Sequence, residues 1–153
     1  MAEQQHSPSY PIQPTFIIVR EIHFISNRPP SKSDKIDESK IKFSRTITPF
    51  DEKSKRLQVT LGAEYGFDPD QETSKPPFSV KVVMTGEFVI EENFPKDKIE
   101  LWASINAPFV IYPYLRERLY YITNQGGFPP IMLPLLQIPT MKIETQKPEL
   151  AKG

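Results

Sequence analysis

The stretch NAPFVIYPYLRERLYYITNQGGFPPIMLPLLQI, Asn106 to Ile138, decides how the rest of the chain has to be arranged. From Pro108 to Gln125 the run predicts a helix. Asn106 has an N-capping side chain, Pro108 falls in the first turn where its missing N–H costs little, and Gly126 stands where a left-handed C-terminal cap is expected. Pro113 comes later and predicts a kink or a second start, because its ring excludes the bond to the residue four back. At about 100° per residue, Ile111, Tyr112, Leu115, Leu119 and Ile122 form one apolar stripe. Phe109, Val110, Tyr114, Tyr120 and Tyr121 gather on the other side, around Glu117. One stripe covers a sheet; two apolar faces need a second cover. Burying four or five such side chains contributes about 1.5–3 kcal/mol each, before ordering entropy is subtracted. In a chain of 153 residues with few other helices, another copy of the chain is the expected cover. Its candidate contacts are Phe109, Val110, Tyr114, Glu117, Tyr120 and Tyr121; packing on both sides within one chain is the alternative.

Beyond the helix, Pro129, Pro130, Pro134 and Pro139 forbid regular helix and remove donors from any strand, yet Phe, Ile, Met and Leu dominate. An extended apolar loop of this kind either packs as a lid on the body of the protein or offers a hydrophobic surface, and both readings use the same atoms.

The pattern Pro113-Tyr114-x-Arg116-Glu117, a helical remainder, then Gly126-x-Phe128-Pro129-x-Ile131-x-Leu133 resembles the helix and helix-connecting loop of the SecB family of protein-export chaperones. The spacing aligns without a gap over about thirty residues, and the combination is more specific than either half. Nearer the start, Arg20-Glu21-Ile22-x-Phe24 is similar to the first strand of that family.

The preceding chain suits such a fold. Thr15 to Ile25 reads as a first strand, with Phe16, Ile18, Ile22 and Phe24 on one face and Ile17, Val19, Glu21, His23 and Ile25 on the other. Ser26 to Glu38, with Pro29 and Pro30, reads as a solvated crossover loop. Ser39 to Thr48 alternates with Ile41, Phe43 and Ile47 inward. Arg56 to Phe67 and Phe78 to Phe88 alternate most cleanly, as antiparallel strands with one dry and one wet face do. Glu91 to Ser104 reads as a short helical turn leading into the helix. Four strands followed by a helix predict an α+β fold: a four-stranded antiparallel sheet with one long helix packed on one face. Residues 1–14 and 145–153 read as tails around a single SecB-like domain, 15–144.

Composition excludes more than it selects. A net charge of zero and 17 prolines offer neither a basic groove for nucleic acid nor attraction to an anionic membrane, and no apolar run suits membrane insertion. No cysteine is present, and His6 and His23 stand apart, so no metal site is expected. Gly126-Gly127 lacks a following Lys-Ser/Thr, and no nucleophile elbow or dinucleotide fingerprint occurs, so neither a cofactor nor an enzyme is expected. Arg116, Glu117 and Arg118 read as ion-pairing partners within or between helices. No leader opens the chain, and a cytoplasmic location is the expectation.

The resemblance implies an ATP-independent holdase. In this family tetramers, built as dimers of dimers, hold unfolded preproteins in hydrophobic grooves before delivery to the SecA motor. Carried onto this chain, clients run along Phe78, Phe128, Ile131, Met132, Leu133, Leu135 and Leu136, the helix's second face lies at a homo-oligomer interface, and Glu21 is the motor-docking acid. The long second helix of typical members is missing or cut short here, and Ile25 and Lys81 stand where members tend to carry acids. Two alternatives are an oligomeric SecB-like interaction module with one dedicated partner and no export role, and a small-ligand site under the apolar loop.

Overall fold

Alternation along the strands builds the sheet. In a computed structural model describing residues 9–68 and 75–135, four strands form: β1, Ile12–Ser26; β2, Lys42–Ile47; β3, Arg56–Tyr65; and β4, Phe78–Ile90. They precede one long helix, α1, Ile99–Gln125. The sheet order is β1-β4-β3-β2 with every neighbouring pair antiparallel, so the chain crosses from one edge to the other after β1 and returns through two hairpins. The expected α+β fold, a four-stranded antiparallel sheet with one long helix on one face, is the observed one.

Period two sets the two faces. Leu57, Val59, Leu61, Ala63 and Tyr65 of β3 lie opposite Phe88, Gly86, Met84, Val82 and Val80 of β4, and the side chains on this inner face are buried. The intervening residues, among them Gln58, Thr60, Glu64, Lys81 and Glu87, form the outer face. On β2, Phe43, Arg45 and Ile47 face inward opposite Ala63, Leu61 and Val59. Phe43 is nonetheless 56% exposed, because α1 lies over β3 and β4 and leaves this edge uncovered.

The first strand departs from the expected phase. The β1–β4 register shifts between Pro14 and Phe16 and again between Val19 and Glu21, leaving Thr15 and Arg20 as extra residues. Each such bulge turns the chain over by one residue. Ile17 and Val19 therefore share the inner face with Ile22 and Phe24, opposite Gly86, Met84, Val82 and Val80, while Phe16, Ile18, Glu21, His23 and Ile25 point outward. The strand also begins earlier than expected: Ile12, assigned to the tail, is buried opposite Ile90.

The helix begins at Ile99, after a 3-10 turn over Lys96–Lys98, so Asn106 is an interior residue and not the N-cap. Buried residues recur at every fourth position, Ile99, Ala103, Ala107, Ile111, Leu115, Leu119 and Thr123. On a helix of about 3.6 residues per turn a step of four drifts by about 40°, so the buried stripe winds around the axis as it crosses a twisted sheet. Pro108 and Pro113 both sit inside the helix. Pro108 cannot donate to the Ser104 carbonyl four back; Arg45 supplies the missing donor from β2, its Nη1 reaching Ser104 O at 2.6 Å. An arginine on the inner face of an edge strand is thus explained by a proline in the helix. At the other end Gly127, not Gly126, takes the left-handed conformation, with φ +82°. Gly126 is required for space: a Cβ there would lie 2.3 Å from Phe24 Cζ.

The crossover loop has a buried anchor. The Asp34 carboxylate pairs with Arg28 and accepts from Ser31 N at 2.7 Å, while Asn27 Nδ2 donates to Pro76 O at 3.0 Å. Ile36 and Ile41 pack against the core beside it.

Candidate functional site

The segment after α1 runs back along the helix that precedes it. Phe128 N donates to Thr123 O at 3.2 Å, Ile131 N donates to Thr123 Oγ1 at 2.9 Å, Arg116 Nε donates to Leu133 O at 2.8 Å, and the Tyr112 hydroxyl donates to Pro134 O. The contacts step from residue 123 to 112 as the segment advances from 128 to 134, so the two run antiparallel. Prolines 129, 130 and 134 deny this strap a ladder of its own; helix side chains supply the partners instead.

The strap's alternate residues have opposite fates. Phe128, Ile131 and Leu133 are buried, whereas Met132 is 52% and Leu135 80% exposed. Phe128 completes an aromatic cluster, with ring centroids 4.7 Å from Phe78 and 6.2 Å from Phe24. Phe78 in turn lies 5.3 Å from Tyr65 and 5.7 Å from Phe24. Of the residues expected to touch clients, Phe78, Phe128, Ile131 and Leu133 are therefore interior in this conformation, Met132 and Leu135 are at the surface, and Leu136 lies outside the described residues. The reason is the register of the helix contacts, which turns residues 128, 131 and 133 toward the sheet. Arg116, expected to ion-pair, spends its Nε on the strap carbonyl.

The outward face of α1 is largely apolar, interrupted by Glu117. Leu101, Ile105, Phe109, Glu117 and Tyr121 stand two positions beyond the buried series, hence about 200° round from it at each level. Val110, Tyr114 and Tyr120 flank them and are exposed, as are Leu101 and Tyr121, at 59% and 58%. Leu101 and Ile105 escape the expectation for this face, because Asn106 and Pro108 predict a later helix start than Ile99. Between the first turns of α1 and the β2–β3 hairpin lies a cleft of about 690 Å³ lined by Arg45, Ile47, Phe50, Leu57, Ile99 and Ala103 among others. The inner-facing but uncovered Phe43 signals how little of this edge α1 covers.

On the outer sheet face, Glu21 accepts from His23 Nε2 at 2.7 Å and pairs with Lys81 Nζ at 3.5 Å. The hydrogen bond from His23, with help from Lys81, holds its carboxyl below the usual range. Both partners sit beside it on the same face, so the acid is locally neutralised. Further along, Glu87 accepts from Gln58 Nε2 at 3.1 Å, Thr15 Oγ1 at 2.9 Å and Arg56 Nη1 at 2.9 Å. The Gln58 and Thr15 bonds, then Arg56, depress its carboxyl; Arg28 and the Ser31 amide do the same for Asp34. Depressed acids bind fewer protons folded than unfolded, so their stabilisation is present above the ordinary values of 4.5 and 3.8 and is lost as pH falls through the lower folded values. The denaturation midpoint should therefore fall as pH drops from about 5 to 3, and Glu87→Gln should flatten part of that slope. An identical slope in Glu87→Gln would remove this carboxylate from the account. Among the described residues no group of three or more His, Cys, Asp or Glu could hold a metal, and no helix is long and apolar enough to cross a membrane.

A long helix over a four-stranded antiparallel sheet, with a proline-rich apolar strap returning along it, defines an α+β scaffold, and comparison with known proteins places it in a family. The profile of the family described as preprotein translocase subunit SecB matches residues 3–145. The chain belongs to the SecB family, one of protein-export chaperones rather than enzymes. It is 31% identical to an uncharacterized protein of Methanocaldococcus jannaschii over 86% of this chain and 84% of that one. It is 34% identical to the protein-export protein SecB of Anaplasma phagocytophilum over 51% of this chain and 50% of that one, so the match spans about half of that relative. Among solved structures, a Mycobacterium tuberculosis SecB-like chaperone in complex with a ChAD peptide from the HigA1 antitoxin superposes with a TM-score of 0.65 at 16% identity, covering 82% of this chain and 90% of that one. At that identity the likeness is one of fold.

Proposed function

We propose that the protein is an ATP-independent holdase that binds unfolded preproteins for export through apolar surface. The observation that carries this reading is the SecB family match across residues 3–145, joined to exposed apolar groups on the strap and the sheet edge. Met132 and Leu135 offer flexible apolar contact, and Phe43 stands exposed on the open β2 edge. Phe78, Phe128, Ile131 and Leu133 join the client surface only when the strap lifts. Contacts of this kind read apolar area and backbone and are indifferent to client sequence. A homo-oligomer, dimer or tetramer, closes over the outward face of α1 at Phe109, Val110, Tyr114, Glu117, Tyr120 and Tyr121. The cytoplasm is the compartment such a role requires. Added at stoichiometric amounts, the folded protein should suppress aggregation of a chemically unfolded protein by more than half; no suppression ends the proposal.

Docking to a SecA motor through Glu21 is the weaker arm, since His23 and Lys81 already occupy that carboxylate. A second reading, a module with one dedicated partner and no export role, is favoured by the SecB-like neighbour seen with an antitoxin peptide and by the closed strap, which keeps Phe78, Phe128, Ile131 and Leu133 interior. Comparing affinities for several unrelated unfolded proteins separates the two: similar values support the holdase, and uniformly absent binding supports the dedicated module.

A further inference from the structure

We propose that the strap Phe128–Leu135 is a latched lid, and that Tyr112 and Arg116 are the positioning residues that set how often it opens; this rests on the holdase reading only for what the opened lid exposes. Among the described residues the strap pairs with no strand: three of its residues are prolines, and its polar backbone contacts with α1 run through side chains of Tyr112, Arg116 and Thr123 plus one bond to the Thr123 carbonyl. The anchoring is unequal along its length. Near the helix end, Thr123 is fully buried and holds both Phe128 N and Ile131 N. Farther out, the two carbonyls at Leu133 and Pro134 depend on one donor each, from Arg116 and Tyr112. Beyond them Leu135 is almost wholly in solvent. The strap can therefore peel first at Leu133 and Pro134, hinged at Gly127, whose left-handed φ starts it. Peeling uncovers Leu133 and Ile131 first; Phe128 and the aromatic cluster of Phe24, Phe78 and Tyr65 follow. Opening forfeits the burial of Leu133 and Ile131, and releasing one segment in this way lies below the global unfolding free energy.

Tyr112→Phe keeps the buried ring and removes one donor; Arg116→Met keeps the aliphatic stem and removes the other. Amide exchange at Ile131, whose N–H is held by Thr123 Oγ1, should speed up by about fivefold in each variant and about twentyfold or more in the double variant, as expected for one hydrogen bond each. Exchange in β3 and β4 should stay unchanged, and an apolar environment-sensitive dye should bind more strongly. Exchange at Ile131 that stays at the parent rate, or that rises only in step with β3 and β4, overturns the lid. A chain whose lid exchange and dye binding rise while unfolded clients still fail to bind keeps the lid and sinks the holdase reading instead.

Discussion

Phe78→Ala should lower the unfolding free energy by about 3–5 kcal/mol, the range for removing a fully buried aromatic. Phe78 is fully buried and contacts three other rings, Phe24, Tyr65 and Phe128, at centroid distances of 5.7, 5.3 and 4.7 Å. Those rings come from β1, β3 and the strap, so the space left by truncation is bordered by three elements that cannot all move inward together. The loss should approach the upper end of the range if the cavity stays open, and the strap should loosen with it because Phe128 loses its nearest ring neighbour. A denaturant titration with an unchanged slope measures the effect. A loss below about 1 kcal/mol would mean that the cluster is not packed as described.

Which parts of this arrangement the sequence disclosed follows from how local each signal is. Alternation in β3 and β4 is carried by consecutive residues, and the inner series from Leu57 to Tyr65 and from Phe78 to Phe88 was legible outright. The same rule failed on β1 beyond Arg20, because a bulge depends on the partner strand's register and leaves no mark in the composition of its own strand. The helix start was missed for a related reason. Asn106 and Pro108 imitate a capped first turn, but the cost of an interior proline is met by Arg45, 59 positions before the Ser104 carbonyl that it reaches, and no local pattern announces that pairing. The SecB-like spacing around Pro113 and Phe128 identified the family, while which strap residues face the sheet awaited the contacts from Thr123, Arg116 and Tyr112. Leu133 and Met132 are equally apolar neighbours; only geometry distinguishes the buried one from the exposed one.

Replacing both Val110 and Tyr121 by glutamate should convert the protein to a monomer while leaving its helix content and melting behaviour close to those of the parent. Both side chains are exposed on the single chain, so the substitutions leave the fold little to lose. The outward face of α1 nevertheless carries Leu101, Ile105, Val110, Tyr114, Tyr120 and Tyr121, six exposed large apolar side chains on one helix, more than a small domain ordinarily leaves in water. If a second copy covers it about a two-fold axis, each substitution appears twice, once from each chain. An unpaired charge buried at such an interface costs about 3–5 kcal/mol, which weakens association by about a hundredfold or more for each site. Pro113 sharpens the expectation, since it leaves the Phe109 carbonyl without its usual helical donor on that face. Sedimentation over a range of concentrations reads the outcome directly. A parent protein that is already monomeric at high concentration, or a doubly substituted one that associates as the parent does, would leave the outward face without the partner that its apolar side chains call for.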